Sequence, residues 1–78
     1  MEIEYTDLGV IYTVGEDTVT IEGDWYCSDV WVNDTHVGES KRWGADALFE
    51  CTDGSMSAIG SSEEDFEQFV LRLCKQFA

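Results

Sequence analysis

The chain has 78 residues, 44% of them hydrophobic and ten of them aromatic, with 17 Asp and Glu against four Lys and Arg for a formal net charge of −13. That length makes one domain with room for a single layer packed on another and a radius of gyration of about 11 to 12 Å, and the apolar content excludes a disordered acidic tail. The charge disfavours nucleic acid, an anionic membrane surface and acidic substrates as direct partners, and favours a basic protein surface.

From the first residues the pattern is that of strands. In "EIEYT" (2–6) Ile3 and Tyr5 fall on one side and Glu2, Glu4 and Thr6 on the other, the period of two that marks a half-buried strand. "GVIYTV" (9–14) repeats it with Val10, Tyr12 and Val14. Gly15-Glu16 then offers a two-residue hairpin loop with glycine first, as a type II′ turn requires, and "DTVTIE" (17–22) resumes with Val19 and Ile21 inward. Gly23-Asp24 reads as a bend before a strand "WYCSDVWV" (25–32), and Asn33-Asp34 as a two-residue turn into "THVGES" (35–40). "KRWGA" (41–45) reads as a loop. "DALFECT" (46–52) and "SMSAI" (55–59) read as a last strand pair joined at Asp53-Gly54.

The closing segment changes period. Ser62 is placed as an N-cap, Glu63, Glu64 and Asp65 fill the first turn, and Asp65 takes the capping-box position. Arg72 and Lys75 sit in the last turns, where cations complement the helix dipole. Phe66, Phe69, Val70, Leu73 and Phe77 form one continuous apolar face, so 62–77 is expected to be an amphipathic helix. The expected architecture is therefore α+β: an antiparallel meander of about four to six strands over 1–59, with the C-terminal helix packed on one face and the other face acidic.

Helix capping explains the carboxylates of the helix but not those of the strands. Residues 62–78 carry a net −2, which leaves −11 for the rest, and residues 1–40 hold ten acids and no Lys or Arg. Glu2 and Glu4, like Glu22 and Asp24, lie two apart, on one face of a strand at about 6.6 Å. Rows of negative charge at such spacing resemble the phosphates of a nucleic-acid strand, although a merely soluble face or a high-salt cell also yields such a composition. Trp25, Tyr26, Trp31 and Trp43 are too many large rings for every one to be core in so small a domain, and Trp31, opposite in parity to Val30 and Val32, is expected on the acidic face beside Asp29 as an interface anchor. The expected partner-binding set is Glu22, Asp24, Asp29, Trp31 and Asp34, with Glu2 and Glu4 beside it.

No catalytic constellation stands out, so the chain reads as a non-enzyme. His36, Cys27, Cys51 and Cys74 lack the close ligand pairs of a zinc site, the cysteines read as small core residues, and no cofactor or metal is expected. The unpaired cysteines and a charged start without an apolar leader fit a cytoplasmic setting. In size and charge the chain resembles the small virus-encoded inhibitors of nucleic-acid-binding defence machinery, DNA-mimic proteins and anti-CRISPRs among them. That resemblance implies a phage protein acting in the host cytoplasm as an inhibitor of a basic nucleic-acid-binding protein or complex, through protein–protein interaction and without touching nucleic acid or membrane. Two other readings use the same features: an immunity or antitoxin protein masking a basic nuclease toxin, and a non-catalytic adaptor forming a homodimer through a sheet edge or Leu71.

Overall fold

A computed structural model describes all 78 residues. Seven strands, β1 (Glu2–Tyr5), β2 (Gly9–Val14), β3 (Asp17–Asp24), β4 (Cys27–Val32), β5 (Thr35–Trp43), β6 (Asp46–Cys51) and β7 (Met56–Gly60), precede one helix, α1 (Glu63–Phe77). The strands pair antiparallel in chain order, β1 to β7, as a single meander. The fold is α+β as expected, but the strand count exceeds four to six. The Cα radius of gyration is 11.2 Å.

Three boundaries differ from the sequence reading, each for a local reason. β3 continues through Gly23 to Asp24, paired with Ser28 and Cys27, so the chain turns two residues later, at Trp25-Tyr26, and "WYCSDVWV" is a strand only from Cys27. The segment 41–45 is not a loop: Lys41, Arg42 and Trp43 complete β5, pairing with Leu48, Ala47 and Asp46 across a Gly44-Ala45 turn. Cross-strand pairing overrides the low strand propensity of two adjacent cations there. The other turns fall where the sequence puts them. Gly15 takes a φ of 61° and Asn33 a φ of 53°, left-handed values that only Gly, Asn or Asp adopt readily.

One face of the sheet carries Val10 and Tyr12, Val19 and Ile21, Val30 and Val32, Ala47, Phe49 and Cys51, all buried. α1 lies across this face, touching β2, β3, β4 and β7, and buries Phe66, Phe69, Val70 and Leu73. Trp25, from the β3–β4 turn, closes the core by stacking on Phe66 with ring centroids 5.0 Å apart and meeting Phe69 edge-on at 6.2 Å. Its indole N–H donates to the Tyr12 hydroxyl at 3.0 Å, and the buried Ser40 hydroxyl donates to its carbonyl, so these core polar groups are paired. Phe77, expected in the apolar face, lies in the last turn of the helix and is 37% exposed, outside the core.

The helix begins as the sequence indicates. Ser62 accepts from the Asp65 N–H at 3.1 Å, and the Asp65 carboxylate receives the Ser62 and Ser61 N–H groups at 3.3 and 3.2 Å. Hydrogen bonding to the Asp65 carboxylate from the Ser62 side chain first, then from the Ser62 and Ser61 N–H groups, holds its carboxyl below the usual aspartate range.

Candidate functional site

The sheet face away from α1 is uncovered, and strand register decides what it displays. Glu22 of β3 stands opposite Asp29 of β4, Asp29 opposite Glu39 of β5, and Glu39 opposite Glu50 of β6. Four carboxylates thus form one transverse row across four neighbouring strands, at about 4.8 Å per step. Glu22, Asp29 and Glu39 also line a shallow depression with Cys27 and Lys41. Directly opposed like charges destabilise a sheet by up to about 1 kcal/mol per pair, and here three such pairs run in series.

The expected site residues divide among four places. Glu22 and Asp29 are members of the row. In the next transverse line Glu4, Ile11, Thr20, Trp31 and His36 follow one another across β1 to β5, so Trp31 flanks the row while Glu4, on β1, stands two strands beyond its Glu22 end, and Glu2 lies one line further off, opposite Thr13. Asp34 sits in the β4–β5 turn at the edge of a second depression shared with Glu22 and Trp31. Asp24 leaves the face: at the end of β3 its carboxylate accepts the Tyr26 N–H at 2.7 Å and borders a different cavity.

Trp31 stands on the acidic face as expected but half-buried, its ring packed edge-on against His36 at 5.0 Å and its indole N–H enclosed without a protein acceptor. His36 Nε2 lies 3.2 Å from Asp29 Oδ1. A cation does enter the row, since Lys41 of β5 meets Glu50 Oε1 at 3.0 Å. The side chains of Glu2, Glu4, Glu22, Asp29, Glu39, Asp46 and Glu50 therefore share this face with one lysine.

Glu39 and Glu50 are not legible as members of the row in the sequence. A plain two-residue turn at Asn33-Asp34 would place Asp29 opposite Gly38 and send Glu39 to the helix side. Between Val30 and Trp31 the register with β5 shifts by one residue, leaving Val37 as the extra residue of a bulge; it buries there, and Glu39 is carried to the outer face. Glu50 joins the row because β5 runs through the segment read as a loop.

A second feature lies at the end of the sheet that carries the β1–β2 and β3–β4 turns, beside the start of α1. A cavity of about 370 Å³ opens there, lined by aromatic rings and by the carboxylates of Asp24 and Glu63. Exposed apolar side chains gather at the same end: Tyr5, Leu8 and Trp43 are 72%, 75% and 68% exposed. Trp43 is thus neither core nor part of the acidic row.

The cysteines occupy three settings. Cys51 is core, Cys74 is half-buried with its thiol pushed up by burial, and Cys27 is exposed on the outer face, contrary to the expectation that all three are core. No group of three His, Cys, Asp or Glu side chains converges as a metal site would require. No helix is long and apolar enough to cross a membrane. No family model, no curated protein and no solved structure matches the chain.

Proposed function

We propose that this chain is a small acidic inhibitor that occupies a Lys/Arg-lined groove on a nucleic-acid-binding protein or complex, in the manner of a DNA mimic or anti-CRISPR of phage origin. The observation that carries the reading is the Glu22, Asp29, Glu39, Glu50 row on an uncovered sheet face. One charge per ~4.8 Å across strands compares with one per ~3.4 Å of rise along a nucleic-acid strand, so the row has about 0.7 of that linear density. It is held on paired backbone, so only its side chains, not the chain that carries them, must be ordered on binding. Trp31 supplies an apolar surface beside it, with Glu4, Glu2 and Asp34 at its margins.

The mechanism is steric and electrostatic. Cations that would receive phosphates receive carboxylates instead, and the body of the sheet and helix denies the groove to the nucleic acid. The protein itself is expected not to bind DNA or RNA, whose phosphates would meet seven carboxylates and Lys41. An immunity protein masking a basic nuclease uses the same face, and the identity of the captured partner separates the two.

The test is capture of the partner from the host cell, followed by titration with the triple variant Glu22→Gln, Asp29→Asn, Glu39→Gln at two salt concentrations. The wild-type affinity is expected to fall steeply with salt, and the variant to bind at least a hundredfold more weakly with a shallower salt dependence. Unchanged affinity in the variant, or binding indifferent to salt, sinks this reading and favours an adaptor with an apolar contact.

A further inference from the structure

We propose that the cavity between the β1–β3 end of the sheet and the start of α1 is a binding site for a guanidinium-bearing side chain, an arginine of the partner. This rests on the reading of the chain as a binder of basic surfaces and gives that surface a specific anchor outside the acidic row.

The cavity combines two features that a guanidinium uses together. Tyr5, Tyr26 and Phe66 present ring surface, and Trp25 lies beneath them in the core. Asp24 and Glu63 stand at the border as carboxylates, and no Lys or Arg is among the lining residues, although the chain's own Arg42 lies over the Tyr26 ring, 4.5 Å from its centroid, and leaves Tyr5, Phe66 and the rest of Tyr26 to an incoming side chain. Its volume of about 370 Å³ is at the small end of ligand cavities, which run from about 300 Å³, and suits one long side chain rather than a cofactor.

A purely apolar occupant would cover the rings but strip water from two carboxylates without pairing them. A lysine would pair one carboxylate, but its compact ammonium stacks poorly. Arginine lays its methylene stem and planar head along the rings and offers five donors to the two acids. The chain already shows this chemistry in itself. Both of its arginines lie over aromatic rings, Arg72 at 5.3 Å from the centroid of Phe69 and Arg42 at 4.5 Å from that of Tyr26, a ring that also lines the cavity. The turn that carries Tyr26 is held by its backbone N–H, which donates to Asp24 Oδ1 at 2.7 Å.

The site is built from elements that fold for other reasons. Gly9 and Gly23 lie side by side at its floor. At Gly9, with a φ of 156°, a Cβ would sit 1.9 Å from the Ile21 carbonyl oxygen, so β2 can approach β3 this closely only with glycine there. Glu63 is set by the capping box one residue before it. Tyr5, on edge strand β1, is the most exposed of the aromatic walls, at 72%.

The experiment needs no identified partner. The ¹⁵N-labelled full chain is titrated with N-acetyl-arginine-methylamide, whose only charge is the guanidinium, and in parallel with the uncharged citrulline analogue. Saturable shifts are expected at the Trp25 indole N–H and the Tyr5 and Tyr26 amides, with the citrulline analogue binding at least tenfold more weakly. Tyr5→Ala and the pair Asp24→Asn with Glu63→Gln should each weaken arginine binding at least fivefold; the Asp24→Asn side chain retains an oxygen for the Tyr26 N–H, and a native amide spectrum is the folding control. Equal binding of the two analogues, or arginine shifts confined to the Glu22 to Glu50 row, overturns the proposal. The triple variant of the outer row should keep the Trp25 shifts intact, so loss of partner binding there and loss of arginine binding here are separate results.

Discussion

The two faces of this sheet are made by the same strands, yet they obey opposite energetics. Towards α1, Val19, Ile21, Val30 and Val70 are wholly buried, and every core residue has apolar neighbours across strands and helix. On the other side the same strands set Glu22, Asp29, Glu39 and Glu50 against one another, an arrangement that folding alone disfavours. The covered face accounts for why the chain folds, and the bare face carries a repulsive cost that folding must absorb, relieved within the chain only where Lys41 meets Glu50 and His36 meets Asp29. Tests on the first should therefore give large losses of stability, and tests on the second small gains.

The largest effect is expected at Phe69, 4% exposed, which packs between Trp25, Phe49 and the sheet. Phe69→Ala should destabilise by about 3 to 5 kcal/mol, a large part of the stability of so small a domain. Denaturant unfolding checks this, and a loss under ~1 kcal/mol would mean that the helix does not hold the covered face as described.

Next is Gly38, where the covered face has no room for a side chain. A Cβ there would meet the Glu50 carbonyl oxygen at 2.3 Å and the Phe49 ring at 2.7 Å. Gly38→Ala should cost about 1 to 3 kcal/mol through overpacking. Because Gly38 adjoins Glu39, the same change is expected to disturb the register that forms the acidic row, visible as shifts of the Asp29 and Glu50 amides.

Ser62→Ala should cost about 1 kcal/mol by removing the cap acceptor. The cap also has a pH signature. The Asp65 carboxyl, and likewise that of Asp53 through its bonds from Ser55, is held below the ordinary aspartate value in the folded chain. A depressed folded pKa contributes stability that is present above the unfolded value, about 3.9, and is lost as pH falls through the folded value. Melting temperature should therefore decline below about pH 4 on this account, and Ser62→Ala should blunt that decline, since the Ser62 hydroxyl is the main cause of the Asp65 shift. A pH profile unaltered by the substitution would show that the cap is not formed as drawn.

The covered face is readable from sequence because apolar alternation and helical periodicity are local: Val10 and Tyr12, Val19 and Ile21, and the Phe66 to Leu73 stripe need no knowledge of their partners. The Ser62 cap is readable for the same reason. The bare face is half readable, since side-chain parity puts Glu22, Asp29 and Trp31 outward while their neighbours depend on register. The bulge at Val37 reverses the parity of everything after it in β5, and no residue there announces it. The cavity at the sheet end is not readable at all, because Tyr5, Asp24, Tyr26 and Glu63 come from separate strand ends, a turn and a helix start that only the assembled meander brings together. Asp24 illustrates the limit: parity pairs it with Glu22, and its bond to the Tyr26 N–H turns it to the other site.

The smallest effect is also the one that most sharpens the contrast between the faces. Glu39 stands between Asp29 and Glu50, so it meets a like charge on both sides. Two unit charges about 5 Å apart repel by ~0.8 kcal/mol in bulk water before salt screening, and long side chains relieve part of this by splaying. Glu39→Gln should therefore stabilise the isolated protein by a few tenths of a kcal/mol, and up to about 1 kcal/mol at low salt. Glu22→Gln, at the end of the row with one acidic neighbour, should gain about half as much. Glu50→Gln should gain least, or lose slightly, because the Lys41 ammonium at 3.0 Å already compensates its charge. This graded order, Glu39 above Glu22 above Glu50, is what a transverse row predicts; a uniform change at all three would indicate only the general repulsion of a −13 chain. Urea unfolding of the three variants at low and high salt distinguishes the two, since added salt should shrink the Glu39 gain most if the row exists as described.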